Sequence, residues 1–212
     1  MTATITTTEA PPEPPPVIPD PEADRLLALE GISAMLRLAG EDPTRPGLLR
    51  TPSRVLDAWM EMTERPGDPA ALLATTFDDA GPVDEMIVVG PMPFSSVCEH
   101  HLLPFTGHAW VGYLPNAEGR VVGLSKIPRL LEHFARRPQV QERLTSQITA
   151  ALDHHIHPLG SACVIRALHS CATLRGVRKP APMTTSSITG RMRESAPRAE
   201  FLGLVASSPS PS

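Results

Sequence analysis

Apolar residues recur at helical spacing near both ends of the chain and at strand spacing between them. From Glu22 to Ala39, Leu29, Ile32, Met35 and Leu36 fall on one stripe, and Gly40 suits the left-handed position that closes a helix. Thr51-Pro52 reads as an N-cap with proline in the first turn, and Val55, Trp59 and Met62 form the expected buried face of a second helix. Met86-Ile87-Val88-Val89 and Phe105 to Leu114 have strand character. Pro115 to Gly119 is turn chemistry ahead of Val121-Val122. Ser125 stands where it would cap a third helix carrying Ile127, Leu130, Leu131 and Phe134 at i, i+3, i+4, i+7. After Pro138, a fourth helix carries Val140, Leu144, Ile148 and Leu152. Ala162 to Cys171 predicts another strand, and a short helix is expected around Arg198 to Val205. Pairs of helices alternating with pairs of strands predict an α+β fold with antiparallel pairing, not a βαβ repeat.

The ends differ from this pattern. Pro11-Pro12-Glu13-Pro14-Pro15-Pro16 suits neither a helix nor a central strand, so residues 1–21 are expected to form a disordered proline-rich tail. Residues 206–212 are small and Ser/Pro-rich and predict a second disordered tail. The intervening 22–205 reads as one domain, with a helical part at 22–80 and a mixed part at 81–205.

Composition narrows the class. Aromatics are only 4% of residues, so the core must be mainly aliphatic. No apolar run reaches the roughly 20 residues of a membrane span, so no membrane role is expected. The first residues lack the basic flank and apolar stretch of a secretion signal. Three cysteines, an odd number, fit a reduced cytoplasm better than a disulfide framework. A net charge of -4 argues against general nucleic-acid binding. Local basic clusters, Lys126 to Arg143 and Arg175 to Lys179, still leave room for a small anionic substrate.

Two segments carry the chemistry: Cys98-Glu99-His100-His101 and His169-Ser170-Cys171. Cys98 and His101 are three apart, so one helical turn would bring them to the same side. Strand alternation would put His169 and Cys171 on one face. Cys98, His101 and Cys171 then form a Cys-His-Cys set suited to zinc with water in the fourth place, which lowers the water's pKa to about 7. Other readings are a closed structural site completed by His100 or His169, or cysteines that only pack the core. Cys163 is expected to be of the packing kind.

Four motifs together resemble the GTP cyclohydrolase I family: Cys98 to His101, Gly123-Leu124-Ser125-Lys126, Gln139 to Thr145, and His169 to Cys171 with Arg175-Gly176-Val177. The resemblance runs from about Leu26 to Val205, and Asp42 to Leu48 and Thr51 to Arg54 share it. It implies a tunnelling fold (T-fold): an antiparallel sheet with helices on one face and an N-terminal helical extension. It implies conversion of GTP and water to 7,8-dihydroneopterin triphosphate and formate, the first step of tetrahydrofolate and pterin synthesis. Cys98, His101 and Cys171 match the zinc ligands, and His100 and His169 the catalytic histidines. Ser125 matches a late proton carrier. Arg54, Lys126, Arg129 and Arg175 match the triphosphate positions. Gln141 and Glu142 match residues that hold the ribose and guanine regions, and Glu99 is read as support for the ligands. Asp57 departs from the family, standing where some members carry a phosphate-assisting lysine. The resemblance further implies a homodecamer of two pentamers, with Arg54 reaching a neighbouring subunit's site. It leaves open whether His169 serves N7 or the ribose oxygen, which pathway takes the product, and whether the chain is a non-catalytic nucleotide-binding relative.

Overall fold

A computed structural model describes residues 20–77, 83, 85–116, 118–119 and 121–208. The expected N-terminal tail, apart from Asp20 and Pro21, and the last four residues lie outside them. The described chain falls into two compact units, one ending at Ala58 and the other beginning at Trp59.

The first unit holds α1 (Pro21–Leu38) and the start of α2 (Thr51–Thr63). Asp20 caps α1 by accepting from the Ala23 amide at 3.1 Å, and Gly40 takes a φ of +83° just beyond its end, as the stripe and glycine predict. Asp57 of α2 accepts from Arg25 of α1 at 3.2 Å, an exposed ion pair that occupies the carboxylate. The expected apolar faces are not covered. No residue of α1 is buried, and α2 buries Leu56, while Val55 and Met62 are exposed.

The second unit is built around a five-stranded sheet. Its elements are α3 (Pro69–Leu73), β1 (Thr76–Phe77), β2 (Ile87–Cys98), β3 (Pro104–Leu114), β4 (Val121–Val122), α4 (Lys126–Ala135), β5 (Pro138–Gln139), α5 (Gln141–Ile156), β6 (Gly160–His169), α6 (Ser170–Thr173), β7 (Met183–Ile188), a 3-10 turn Gly190–Arg193, and α7 (Ser195–Ser207). The large sheet has the order β5-β2-β3-β6-β7, and β1 pairs with β4 separately. All pairings are antiparallel except the short parallel contact of β5 with β2. Strand β2 runs much further than its apolar start suggests. Prolines at 91 and 93 hide the alternation, and the register shifts between Val89 and Met92 to accommodate them.

Helices α4 and α5 cover one face. Ile127, Leu130 and Leu131 meet Leu144, Ile148 and Leu152 over Ala109, Val111, Tyr113, Cys163 and Ile165. Leu130, Leu144, Ile148 and Leu152 are fully buried, each contributing about 1.5–3 kcal/mol of apolar burial. Leu73 of α3 enters the same core, which is why α3 belongs with this unit. Cys163 is wholly buried there, and burial pushes its thiol far above the ordinary range. It is a packing cysteine.

Helices do not lie on one face only. Phe201 and Val205 of α7, with Met192 of the 3-10 turn, pack on Trp110, Ala162 and Val164 of the opposite face. Strand alternation sends Trp110 away from Ala109 and Val111, so an apolar patch remains there for α7 to cover. Phe201 approaches so closely that a side chain at Gly112 would meet its ring at 2.9 Å. Helix α7 extends through Ser207, beyond the predicted end of the domain.

Candidate metal centre

The hairpin between β2 and β3 delivers the first half of the centre. Cys98 ends β2, and the chain turns tightly: Leu102 N–H donates to Cys98 O and Cys98 N–H to Leu103 O, both at 2.8 Å. This single turn brings His101 back beside Cys98, as the three-residue spacing predicts. The second half arrives differently from the expectation. Strand β6 stops at His169, and Cys171 lies in the helical turn α6. Strand alternation therefore does not place His169 and Cys171 on one face. The break separates them, which lets Cys171 face Cys98.

The donor atoms of Cys98, His101 and Cys171 lie within 4.8 Å of one another. The two sulfurs are 3.9 Å apart. A tetrahedral zinc ion with Zn–S bonds of about 2.3 Å requires roughly 3.8 Å between two thiolates, so the pair fits that ion with almost no movement. Cys98 is buried and Cys171 half-buried. Burial first, and then the neighbouring Cys98 thiol, push the Cys171 thiol above its ordinary value. A cation between the sulfurs reverses this balance, because a coordinated thiol gives up its proton. Arg175 donates to His101 Nε2 at 3.2 Å. A guanidinium can only donate, so Nε2 is the acceptor in this contact.

The flanking histidines differ. His100 is exposed, with Nδ1 3.9 Å from the Cys98 sulfur. His169 is half-buried, stacked on Phe105 with ring centroids 4.5 Å apart and planes 6° from parallel. Burial lowers its pKa, while the Glu142 carboxylate acts in the opposite direction. Among the described residues, neither histidine joins the three-donor cluster.

A polar frame holds the loop. Glu99 pairs with Arg143 of α5. Arg143 also donates to Gln139 Oε1 at 2.6 Å, and Gln139 in turn donates to Phe134 O at 3.0 Å and Gln147 Oε1 at 2.9 Å. The Glu99 amide donates to Gln139 O at 3.1 Å. Glu99 is thus committed to Arg143 rather than to the cluster. The i, i+4 spacing of Gln139 and Arg143 was a readable signal for this frame. The stacking of Phe105 on His169 had none, because it depends on the β3–β6 register, where these two residues are paired.

Other expected site residues are placed as follows. Lys126 and Arg129 stand one turn apart at the start of α4, and neither forms an ion pair among the described residues. Ser125 precedes them with helical φ and ψ and makes no side-chain capping bond, so its expected cap is absent and its exposed hydroxyl is uncommitted. Glu142 is exposed on the first turn of α5. Arg54 is exposed within the first unit. Gln141 is not available at the surface. It is 1% exposed, and its amide is spent on His169, Ile165, Met183 and Thr185.

The Cys-His-Cys set is compatible with a metal site, and three protein donors are the number that catalytic rather than closed structural sites use. The comparisons with known proteins give the family. The sequence profile of GTP cyclohydrolase I matches residues 28–206. GTP cyclohydrolase 1 of Mycolicibacterium gilvum is 46% identical over 188 residues, covering 87% of this chain and 92% of that protein. The Mycobacterium leprae protein of the same name is 48% identical over 185 residues (86% and 89%), and that of Thermobifida fusca 47% over 182 residues (83% and 86%). The chain belongs to the GTP cyclohydrolase I family of enzymes. Among solved structures, the apo form of the archaeosine synthase QueF-Like is 12% identical, with a TM-score of 0.41, over 50% of this chain and 93% of that one, too distant to bear on the fold.

Proposed function

We propose that the protein hydrolyses GTP to formate and 7,8-dihydroneopterin triphosphate, using zinc held by Cys98, His101 and Cys171. The observation that carries this is the three-donor cluster with its 3.9 Å sulfur pair, in a chain of this family. Zinc, when bound, acidifies water and so supplies a nucleophile at neutral pH.

The remaining chemistry falls to the chain's own residues. C8 of guanine accepts water readily only after N7 is protonated, and an imidazolium at exposed His100 supplies that proton. Adding water at C8 and breaking C8–N9 leaves a formamide on N7. A second water cleaves this to formate. The ribose then opens and rearranges, and closure of the new ring returns one water, for a net uptake of one. His169 moves protons at N7 or at the ribose oxygen, and its lowered pKa favours the neutral, accepting form near pH 7. Ser125, with its uncommitted hydroxyl, is placed in the late proton transfers.

Recognition follows from charge. Lys126, Arg129 and Arg175 hold the triphosphate, helped by the positive end of α4, with Arg54 supplied by a neighbouring subunit. Glu142 accepts from guanine N1–H and the 2-amino group together, an arrangement adenine cannot supply. The T-fold and the homodecamer of two pentamers are part of the same reading. The uncovered apolar side chains of α1 and α2 (Leu26, Leu27, Met35, Val55 and Met62) support burial against further copies. Among the described residues no helix is long and apolar enough to cross a membrane, and the three cysteines are free. A cytoplasmic enzyme acting on GTP is part of the same reading.

Incubation with GTP and zinc is expected to release one formate per GTP and to leave a pterin that fluoresces after oxidation. Folded, zinc-loaded protein that binds GTP but releases no formate refutes the proposal.

A further inference from the structure

Gln141 and His169 form an arrangement whose proton positions are dictated by their surroundings. Gln141 Oε1 lies 2.9 Å from His169 Nε2. On its other side, Gln141 Nε2 meets Ile165 O at 3.0 Å, Met183 O at 3.1 Å and Thr185 Oγ1 at 3.1 Å. Backbone carbonyls only accept hydrogen bonds, so the nitrogen of the amide must face them.

The third contact has the same polarity. Thr145 Oγ1 lies 2.6 Å from Gln141 O, another carbonyl, and so donates its only proton there. The Thr145–Thr185 hydroxyl contact, also 2.6 Å, must then be donated by Thr185. That leaves Thr185 Oγ1 as an acceptor toward Gln141. Three acceptors thus hold the amide in one orientation, and turning it over would oppose its oxygen to all of them at a buried site. Each such unsatisfied buried group is costly.

With the amide so fixed, an acceptor-only oxygen faces His169 Nε2. That nitrogen must carry a proton to make the bond. The stack on Phe105 holds the plane of the ring, and within that plane it is Nε2 that meets the amide oxygen. We propose that Gln141 is a positioning residue that sets the tautomer of His169, keeping a proton on Nε2 and leaving Nδ1 as the one nitrogen able to exchange protons with the substrate.

This inference rests on His169 being a proton-transfer residue, and it replaces the expectation that Gln141 holds the ribose. The second half of its logic lies outside the motif that contains Gln141. Thr185 and Met183 belong to β7, so this strand serves the reaction through a side chain that never touches substrate.

Two measurements test it. Neutron diffraction from the perdeuterated full-length protein is expected to show deuterium on His169 Nε2, directed at Gln141 Oε1. A bare Nε2 with deuterium only on Nδ1 overturns the proposal, whether or not the protein turns over GTP. The second is a kinetic split. Gln141→Met keeps the length but removes the acceptor. It is expected to lower kcat by about 10²-fold or more, within the range that general acid–base catalysis supplies. KM for GTP and zinc content should stay at wild-type values. A raised KM with unchanged kcat in Gln141→Met means a substrate contact and overturns the positioning role. Absence of formate release by the wild-type protein would count against the proposed function, while the neutron density would still decide the tautomer.

Discussion

Replacing Cys171 by alanine separates a sulfur that binds metal from one that fills space. The structure supplies its own control. Cys163 is a cysteine of β6 itself, wholly buried and packed in the core with α4 and α5. It stands six positions before His169, so at about 3.3 Å per residue it lies some 20 Å from the end of β6 that leads into Cys171. Cys171→Ala removes one of three donors within 4.8 Å and is expected to reduce zinc affinity by more than the roughly 10–100-fold that loss of a mere supporting residue costs. Formate release should fall in parallel. Cys163→Ala is expected to keep full zinc occupancy and to lower stability by about 1 kcal/mol, the scale of a small core truncation. Zinc per chain is read by elemental analysis after dialysis against a graded chelator. Cobalt substitution adds a direct signature: the thiolate-to-metal charge-transfer band should weaken in Cys171→Ala and persist in Cys163→Ala. Retention of one zinc per chain at wild-type affinity in Cys171→Ala would refute the assignment. Loss of zinc in Cys163→Ala with the fold intact would refute the claim that Cys163 only packs.

Two further outcomes follow from the sheet. A side chain at Gly107 would lie 2.1 Å from Arg166 O and 2.6 Å from Ala167 Cα. No rotamer change relieves a backbone clash, so Gly107→Ala should destabilise by about 3 kcal/mol or more; an unchanged urea midpoint would show that the strands can part freely. Burial raises the pKa of Tyr113 above its ordinary 10.0, although its hydroxyl accepts from Val122 N–H at 2.9 Å. Its contribution is fully present below pH 10 and is lost as pH rises through the raised folded-state value, because the unfolded chain ionises first. Wild-type urea midpoints should therefore fall between pH 9 and 11 more steeply than those of Tyr113→Phe, and equal slopes would contradict this.

Much of the site was legible from local spacing. Cys98 and His101 meet because a turn of one helical pitch suffices, and that is a property of a three-residue interval. The interiors of α4 and α5 followed from the i, i+3, i+4 pattern, since both helices bury one continuous stripe. The interrupted strand was harder to read. Prolines in β2 masked its alternation, and the break after His169 could not be seen in a sequence whose apolar residues simply run on. The covered second face escaped for a similar reason. Helix α7 has little periodicity of its own, and its partner Trp110 reads as an ordinary strand residue.

By itself the sequence determined which chemical groups are present and which short intervals bring them together: the Cys-x-x-His pair, the basic start of α4, the Gln-Glu pair opening α5, and the family these define. Only the tertiary structure decided which groups act on which. It set the 3.9 Å between Cys98 and Cys171, committed Glu99 to Arg143, and buried the Gln141 amide against His169. These outcomes depend on strand register and on where hydrogen-bond acceptors from β6 and β7 fall. A buried amide must satisfy whatever surrounds it, and that constraint acts between residues far apart in the chain, where spacing carries no information.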